Sequence, residues 1–233
     1  MINGFLEALR LIFSADAALA EIVLLSLRVS GLALLISTIT GIPAGAALGL
    51  AHFPGRRLLV ALLYTGMAFP PVVIGLFVYI FLSRNGVLGS LNLDWMPNLF
   101  TPAAMIVAQV IIAFPLVAGF TMAAVAGVDP SLRLQVQALG ASHGQTTWAV
   151  LDEARTGVIA AVVAGFGGII SEVGAVMLVG GNIEGRTRVL TTAIVLETNK
   201  GNFDVALALG IILLSIAFAA NFLILRLQGK AWE

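Results

Sequence analysis

The chain has 233 residues, twelve Lys and Arg against twelve Asp and Glu, 60% hydrophobic and 10% charged residues, and a mean hydropathy of +1.06. A soluble domain carries about 25% charged residues, so this is the composition of an integral membrane protein. Balanced charge argues against a nucleic-acid partner, which demands a basic face. The absence of cysteine excludes disulfides, thiolate zinc sites and cysteine nucleophiles, and His52 and His143 are too few and too far apart in sequence to suggest a metal cage.

Residues 1–20 do not read as a span. Phe5, Leu9, Ile12 and Phe13 share one helical face with Glu7 and Arg10 elsewhere, the pattern of an amphipathic helix lying on the lipid surface. The run Ala15-Asp16-Ala17 imitates a signal-peptidase site, but no basic residue precedes the apolar part, and no cleavage is expected.

Five apolar stretches follow, at residues 22–51, 58–82, 101–128, 158–180 and 203–225. Each reaches the ~20 residues a helix needs to cross a bilayer, so an all-α membrane domain is expected over residues 21–228. The first stretch carries Gly41, Gly45 and Gly49 at four-residue spacing, which lets a second helix approach closely, and Pro43 within it suggests a kink. Arg28 near its start can snorkel to the interface. In the second, Phe69-Pro70-Pro71 removes two backbone donors and breaks the helix. The third contains Gln109 and Pro115, either a packing kink or a mid-membrane discontinuity of the kind transport pathways use.

Between the third and fourth stretches lies a polar interruption at residues 129–151. Asp129 can cap a helix whose first position is Pro130. Leu132, Val136 and Leu139 then form one apolar stripe, with Arg133, Gln135 and Gln137 off it. Gly140 can take the left-handed conformation that ends the helix. Ser142 and Gln145 have the spacing of a capping box for a second helix bearing Trp148 and Leu151. A helix–Gly–helix elbow projecting from a membrane domain has the shape of a part that fits into another protein; the plain alternative is a cytoplasmic loop folded for its own sake.

Glu172 stands deep in the fourth stretch, where a charge must be paired, hydrated or neutralised. It either holds helices together or serves a gate or pathway. Gly180, Gly181 and Asn182 end the stretch with flexible backbone. Arg186, Arg188, Thr187, Thr191 and Thr192 follow, two fixed cations and three hydroxyls near an expected helix N-terminus, groups that suit an oxyanion. An ordinary solvated loop is the alternative.

Ala138-Leu139-Gly140-Ala141-Ser142 resembles the core of the EAA loop of binding-protein-dependent ABC importer permeases, with Leu134, Gln135 and Val136 standing where that family often has Glu-Ala-Ala. The stretches SEVGAVMLVGGN from Ser171, TRVLTTAI from Thr187 and LETNKGNFDVALALGIILL from Leu196 resemble the molybdate, sulfate and tungstate branch of that family, tungstate permeases most of all. The likeness runs from about residue 21 to residue 228, with Gly168 where relatives often have arginine.

The resemblance implies a type I ABC importer permease in the cell (inner) membrane. It implies a second copy of the chain, a cytoplasmic ABC ATPase dimer that uses ATP and Mg, an extracytoplasmic oxyanion-binding protein, and no cofactor held by the chain itself. It places Leu134, Ala138, Leu139, Gly140, Ala141 and Ser142 against the ATPase. It places Glu172, Gly181, Asn182, Arg188, Thr191 and Thr192 on the translocation pathway or gate. With the elbow in the cytoplasm, the first and third spans run inward and the second and fourth outward. Arg56, Arg57, Arg133, Arg155, Arg226 and Lys230 then lie inside, against Arg10, Arg84, Arg186, Arg188 and Lys200 outside, a weak positive-inside bias.

Other classes fit poorly. Gly140-Ala141-Ser142-His143-Gly144 matches the G-x-S-x-G of serine hydrolases, but a helix rather than a strand is expected before the serine and no histidine follows His143. No phosphate-binding G-x-x-x-x-G-K-[ST] loop exists for a self-contained pump. A secondary transporter would carry coupling carboxylates in several spans or an inverted repeat. Among oxyanions, tungstate, molybdate and sulfate remain open.

Overall fold

The computed structural model describes residues 17–91 and 93–227; the amphipathic segment expected at the N-terminus falls, up to residue 16, outside the described residues. Every regular element among the described residues is helical: α1 (Ala17–Leu50), α2 (Arg56–Ala68), α3 (Pro71–Leu82), α4 (Pro102–Ala126), α5 (Pro130–Ala138), α6 (His143–Glu153), α7 (Arg155–Ile170), α8 (Gly174–Gly180), α9 (Leu190–Asn199) and α10 (Phe203–Leu227), with a 3-10 turn at Gly89–Leu91. Proline opens α3, α4 and α5, where its missing N–H would have no partner in any case.

The core is built on α1 and α4. Gly41 lies against Val117 and Ala118, Gly45 against Ala118 and Thr121, and Gly49 against Met122 and Val125. The register advances together, so the two helices run in the same direction. A Cβ at Gly45 would run into the Ala118 carbonyl, so the glycine spacing sets the helix separation. α7 packs on α4 in the opposite sense, Gly157 facing Ala124 and Gly165 facing Val117. These directions agree with those expected from the elbow. α4 is the central element, with Met105, Ala108, Ile112, Ala113 and Val117 buried along its length.

Among the described residues three helices are long and apolar enough to cross a membrane, Ala17–Leu50, Pro102–Ala126 and Phe203–Ile224. The pairs α2 with α3 and α6 with α7 are bent by 102° and 73°. Residues 17–20 belong to the first spanning helix, not to a surface segment. Pro43 and Pro115 sit inside unbroken helices, so the third stretch has no discontinuity at Pro115. The second stretch breaks at Phe69-Pro70 as expected, its halves meeting as an elbow. The fourth, which no proline interrupts, is broken at residues 171–173 against expectation.

The α2–α3 elbow has a local cause. Phe69 and Pro70 each precede a proline, which bars the helical region for both, and both are extended. Gly66 of α2 then rests on Pro115 of α4. Leu48, Leu62, Phe69, Ile74 and Phe114 line an apolar cavity of about 600 Å3 in the bend. α9 and α10 form a hairpin about Gly201 at φ +81, clamped by Glu197, which accepts from Lys200 Nζ at 2.8 Å and Asn202 Nδ2 at 2.7 Å. Little of α10 is buried, and Leu214, Phe218 and Phe222 are exposed, a stable arrangement for apolar side chains when the solvent is lipid.

Candidate functional site

Two regions carry the residues expected to function: the hairpin of α5 and α6, and the place where the breaks in the membrane helices meet.

The hairpin is specified residue by residue. Asp129 Oδ1 accepts the Ser131 N–H at 2.8 Å ahead of Pro130, and this backbone bond, helped by the Ser131 side chain, holds its carboxyl below the ordinary aspartate value. Gly140 takes φ +85. Its N–H reaches Gln137 O at 2.9 Å and the Ala141 N–H reaches Val136 O at 3.3 Å, the paired bonds of a Schellman ending. Ser142 then caps α6, with Ser142 N–H to Gln145 Oε1 at 2.8 Å and Gln145 N–H to Ser142 Oγ at 3.4 Å.

Arginines tie the hairpin base to the bundle. Arg133 Nη1 donates to Leu50 O at 3.4 Å and Arg56 Nε to Leu48 O at 2.7 Å, cations on the open carbonyls ending α1. Val150 and Ala154 are buried with Ala46 and Val125. Leu132 and Val136 are half-buried as the stripe requires, but Leu139 is not part of it: its side chain is 88% exposed, beside Leu134 at 68% and Trp148 at 74%. Leu139 follows the last helical residue, where the chain turns toward Gly140 and the helical period no longer applies. Leu134, Ala138, Leu139, Gly140 and Ser142 are thus exposed at one tip, with Ala141 half-buried behind them.

The second region is the junction of α7 and α8. Its open carbonyls are met by side chains from three elements. Ser171 Oγ donates to Gly167 O at 2.8 Å, Gln109 Nε2 of α4 to Ile169 O at 3.1 Å, and Thr191 Oγ1 of α9 to Glu172 O at 2.9 Å. The Glu172 carboxylate accepts the Ala175 N–H at 2.8 Å and so caps α8 from within the chain. This accounts for an acidic residue in an apolar stretch, since freed backbone groups in a membrane need internal partners. The break lies against the α2–α3 elbow: Gly174 faces Val72, and Gly75 faces Ala175. Sequence reading missed it because no proline marks it; a Ser-Glu pair just before a glycine was the available signal.

The oxyanion cluster expected after α8 takes a different form. Thr187 Oγ1 donates to Gly180 O at 2.6 Å and Thr192 Oγ1 to Val189 O at 3.0 Å, while Thr191 holds Glu172 O. All three threonines are buried. Their hydroxyl protons serve the fold and are not free donors for an anion. Gly181 and Asn182 are consecutive left-handed residues at φ +73 and +52. Arg188 pairs with Glu184 at 3.2 Å. Asn182 Oδ1 and Arg188 Nε are buried without a partner, and Arg186 is exposed. The structure joins Glu172 to Thr191 directly. Gly181, Asn182 and Arg188 lie at the other end of α8, about 10 Å away at 1.5 Å rise per residue.

Parallel spanning helices, two packed discontinuities and a protruding hairpin define a membrane permease with the type I ABC importer fold. The methionine ABC transporter in an inward-facing conformation matches with a TM-score of 0.71 and 19% identity, over 90% of this chain and 94% of that one. A bacterial importer of the polysaccharide alginate matches at 0.74 and 22%, over 96% and 83%. The chain belongs to the binding-protein-dependent transport system inner membrane component family, whose model matches residues 41–231, and is a multi-pass membrane protein. It is 40% identical to a tungstate uptake system permease of Peptoclostridium acidaminophilum, over 98% of both chains. It is 41% identical to a probable anion ABC transporter permease of Haloferax volcanii over 91% of both. It is 31% identical to a molybdenum transport permease of Escherichia coli K12, over 85% of this chain and 88% of that one.

Proposed function

We propose that the chain is the membrane-spanning permease of an ATP-driven importer that carries a tetrahedral oxyanion, tungstate first, into the cytoplasm. The observation that carries this reading is 40% identity along 98% of both chains to a tungstate permease, with the anion permease at a similar level. Tungstate and molybdate share charge and shape, so the permease itself discriminates little between them, and the molybdenum relative supports molybdate as the second substrate.

The working unit is two copies of this chain, two copies of a cytoplasmic ATPase and an extracytoplasmic oxyanion-binding protein. ATP and Mg belong to the ATPase. Leu134, Leu139 and Trp148, apolar and exposed on the capped hairpin, supply the surface an ATPase groove would bury. ATP-driven closure of the ATPase draws the two hairpins together and turns the permease outward to receive the anion; hydrolysis returns it inward. Glu172, Thr191 and Thr192 fix the backbone of the gate, and Gly181, Asn182 and Arg188 border its outer end. The test is tungstate uptake by cells expressing the permease and binding protein with and without the ATPase. Uptake only with the ATPase supports the reading; equal uptake without it points to a secondary transporter.

A further inference from the structure

We propose that the α7–α8 break is a two-state hinge, held in its broken form by Gln109 and Glu172, which closes into continuous helix during the transport cycle. The inference rests on the importer reading and deepens it.

The hydrogen bonds around the break define the exchange. A continuous helix would pair the Val173 N–H with Ile169 O and the Ala175 N–H with Ser171 O. Here Ile169 O accepts from Gln109 Nε2 at 3.1 Å and from the Glu172 N–H at 3.2 Å, and the Ala175 N–H is turned onto Glu172 Oε1 at 2.8 Å. Closing the helix releases these bonds, and sets the Val176 N–H in competition with Thr191 for Glu172 O, in exchange for main-chain bonds. Such an exchange is close to neutral in a medium without water, which is the condition for two populated states.

Nothing covalent enforces the broken form. Ser171 at φ −89, ψ −4 and Val173 at φ −115, ψ −51 stay in the right-handed helical region, so the backbone on both sides of Glu172 already has helical torsions. The α2–α3 elbow differs, because Pro70 and Pro71 lack the N–H groups that a continuous helix would use.

Gln109 links this hinge to the hairpin. Its side chain is 3% exposed, and its Oε1 is buried without a partner while Nε2 holds Ile169 O. A half-satisfied buried amide is costly and calls for an explanation; a residue that serves one of two states supplies it. α4 runs unbroken from Gln109 to Ala126, about 26 Å at 1.5 Å per residue, and reaches the Asp129 cap three residues later. A push on the hairpin therefore shifts the Gln109 amide along α7. Movement of α8 is passed to α3 through the Gly75–Ala175 contact. Gln109 and Glu172 act as positioning residues, through backbone and not on the substrate.

The test uses the complete complex in lipid, with spin labels on cysteines at Ala160 and Ile183, one on each side of the break, and labelled chains diluted so that each complex holds one. The wild type should show two distances whose populations change with ATP. Gln109→Leu should deplete the broken population and lower uptake about tenfold, the effect of losing one buried hydrogen bond, while ATP hydrolysis holds within about twofold, so that uptake per ATP falls. Glu172→Gln keeps an acceptor for Ala175 and should retain both distances; Glu172→Leu should deplete the broken population as Gln109→Leu does. A single distance, unmoved by ATP in a wild-type complex that imports, overturns the hinge. So does parallel loss of uptake, hydrolysis and melting temperature in Gln109→Leu. A wild-type complex that hydrolyses ATP but imports none of the oxyanions refutes the importer reading instead.

Discussion

Gly75 of α3 and Ala175 of α8 meet backbone to backbone: a Cβ built on Gly75 would stand 3.0 Å from the Ala175 Cβ and closer still to its Cα. The contact joins the two helices that follow the two discontinuities, one made by prolines and one by a carboxylate cap. Gly75→Val should therefore force α3 and α8 apart and destabilise the protein by about 1–3 kcal/mol, the usual cost of overpacking. Gly210, with open space around it in the middle of α10, is the control: Gly210→Ala should be neutral or raise the melting temperature. Thermal unfolding in detergent reads both, and equal effects at the two sites would contradict the packing account.

Gly140→Val tests the hairpin. Nothing lies within 4 Å of a Cβ at this position, so the cost is the left-handed backbone alone, about 1–2 kcal/mol. The membrane domain should melt as the wild type does, while co-purification with the ATPase and uptake are lost. Normal co-purification would remove the elbow from the coupling path.

Leu139→Asp separates docking from folding. A side chain so exposed should change stability by no more than about 0.5 kcal/mol, yet an acid on the apolar tip should abolish ATPase binding. Ser142→Ala, by contrast, should destabilise α6 by about 0.5–2 kcal/mol through loss of the cap. Amide hydrogen exchange over residues 142–153 distinguishes the two variants.

Asp129 gives a pH signature. Its carboxyl is held below the ordinary value by the Ser131 N–H first and the Ser131 side chain second. The cap's contribution is therefore fully present above the unfolded value of about 3.9 and is lost as pH falls through the lower folded value. Exchange protection of α5 should stay level from neutral pH down to about 4 and fall below it, and Asp129→Asn should flatten that fall. A loss of protection already at neutral pH would contradict the cap.

Much of the fold was legible because the signals were local. Asp129-Pro130, Gly140 and the Ser142–Gln145 pair each act within a few residues, and the structure realises all of them. The spacing of Gly41, Gly45 and Gly49 announced a close helix contact, though not that α4 would make it. The α7–α8 break was not legible, because its partners Gln109 and Thr191 lie 60 and 19 residues away in sequence from the carbonyls they hold. The threonines after α8 misled for the same reason: the residue types suit an oxyanion, but only the fold shows their hydroxyls turned to Gly180, Glu172 and Val189.

The central claim is import of an oxyanion, and ATP-dependent uptake into vesicles holding permease, ATPase and binding protein tests it most directly. Tungstate, molybdate, sulfate and the cation nickel are offered in turn. Tungstate and molybdate should accumulate only with ATP, and nickel should not enter. Nickel uptake with none of the three oxyanions carried would contradict the account.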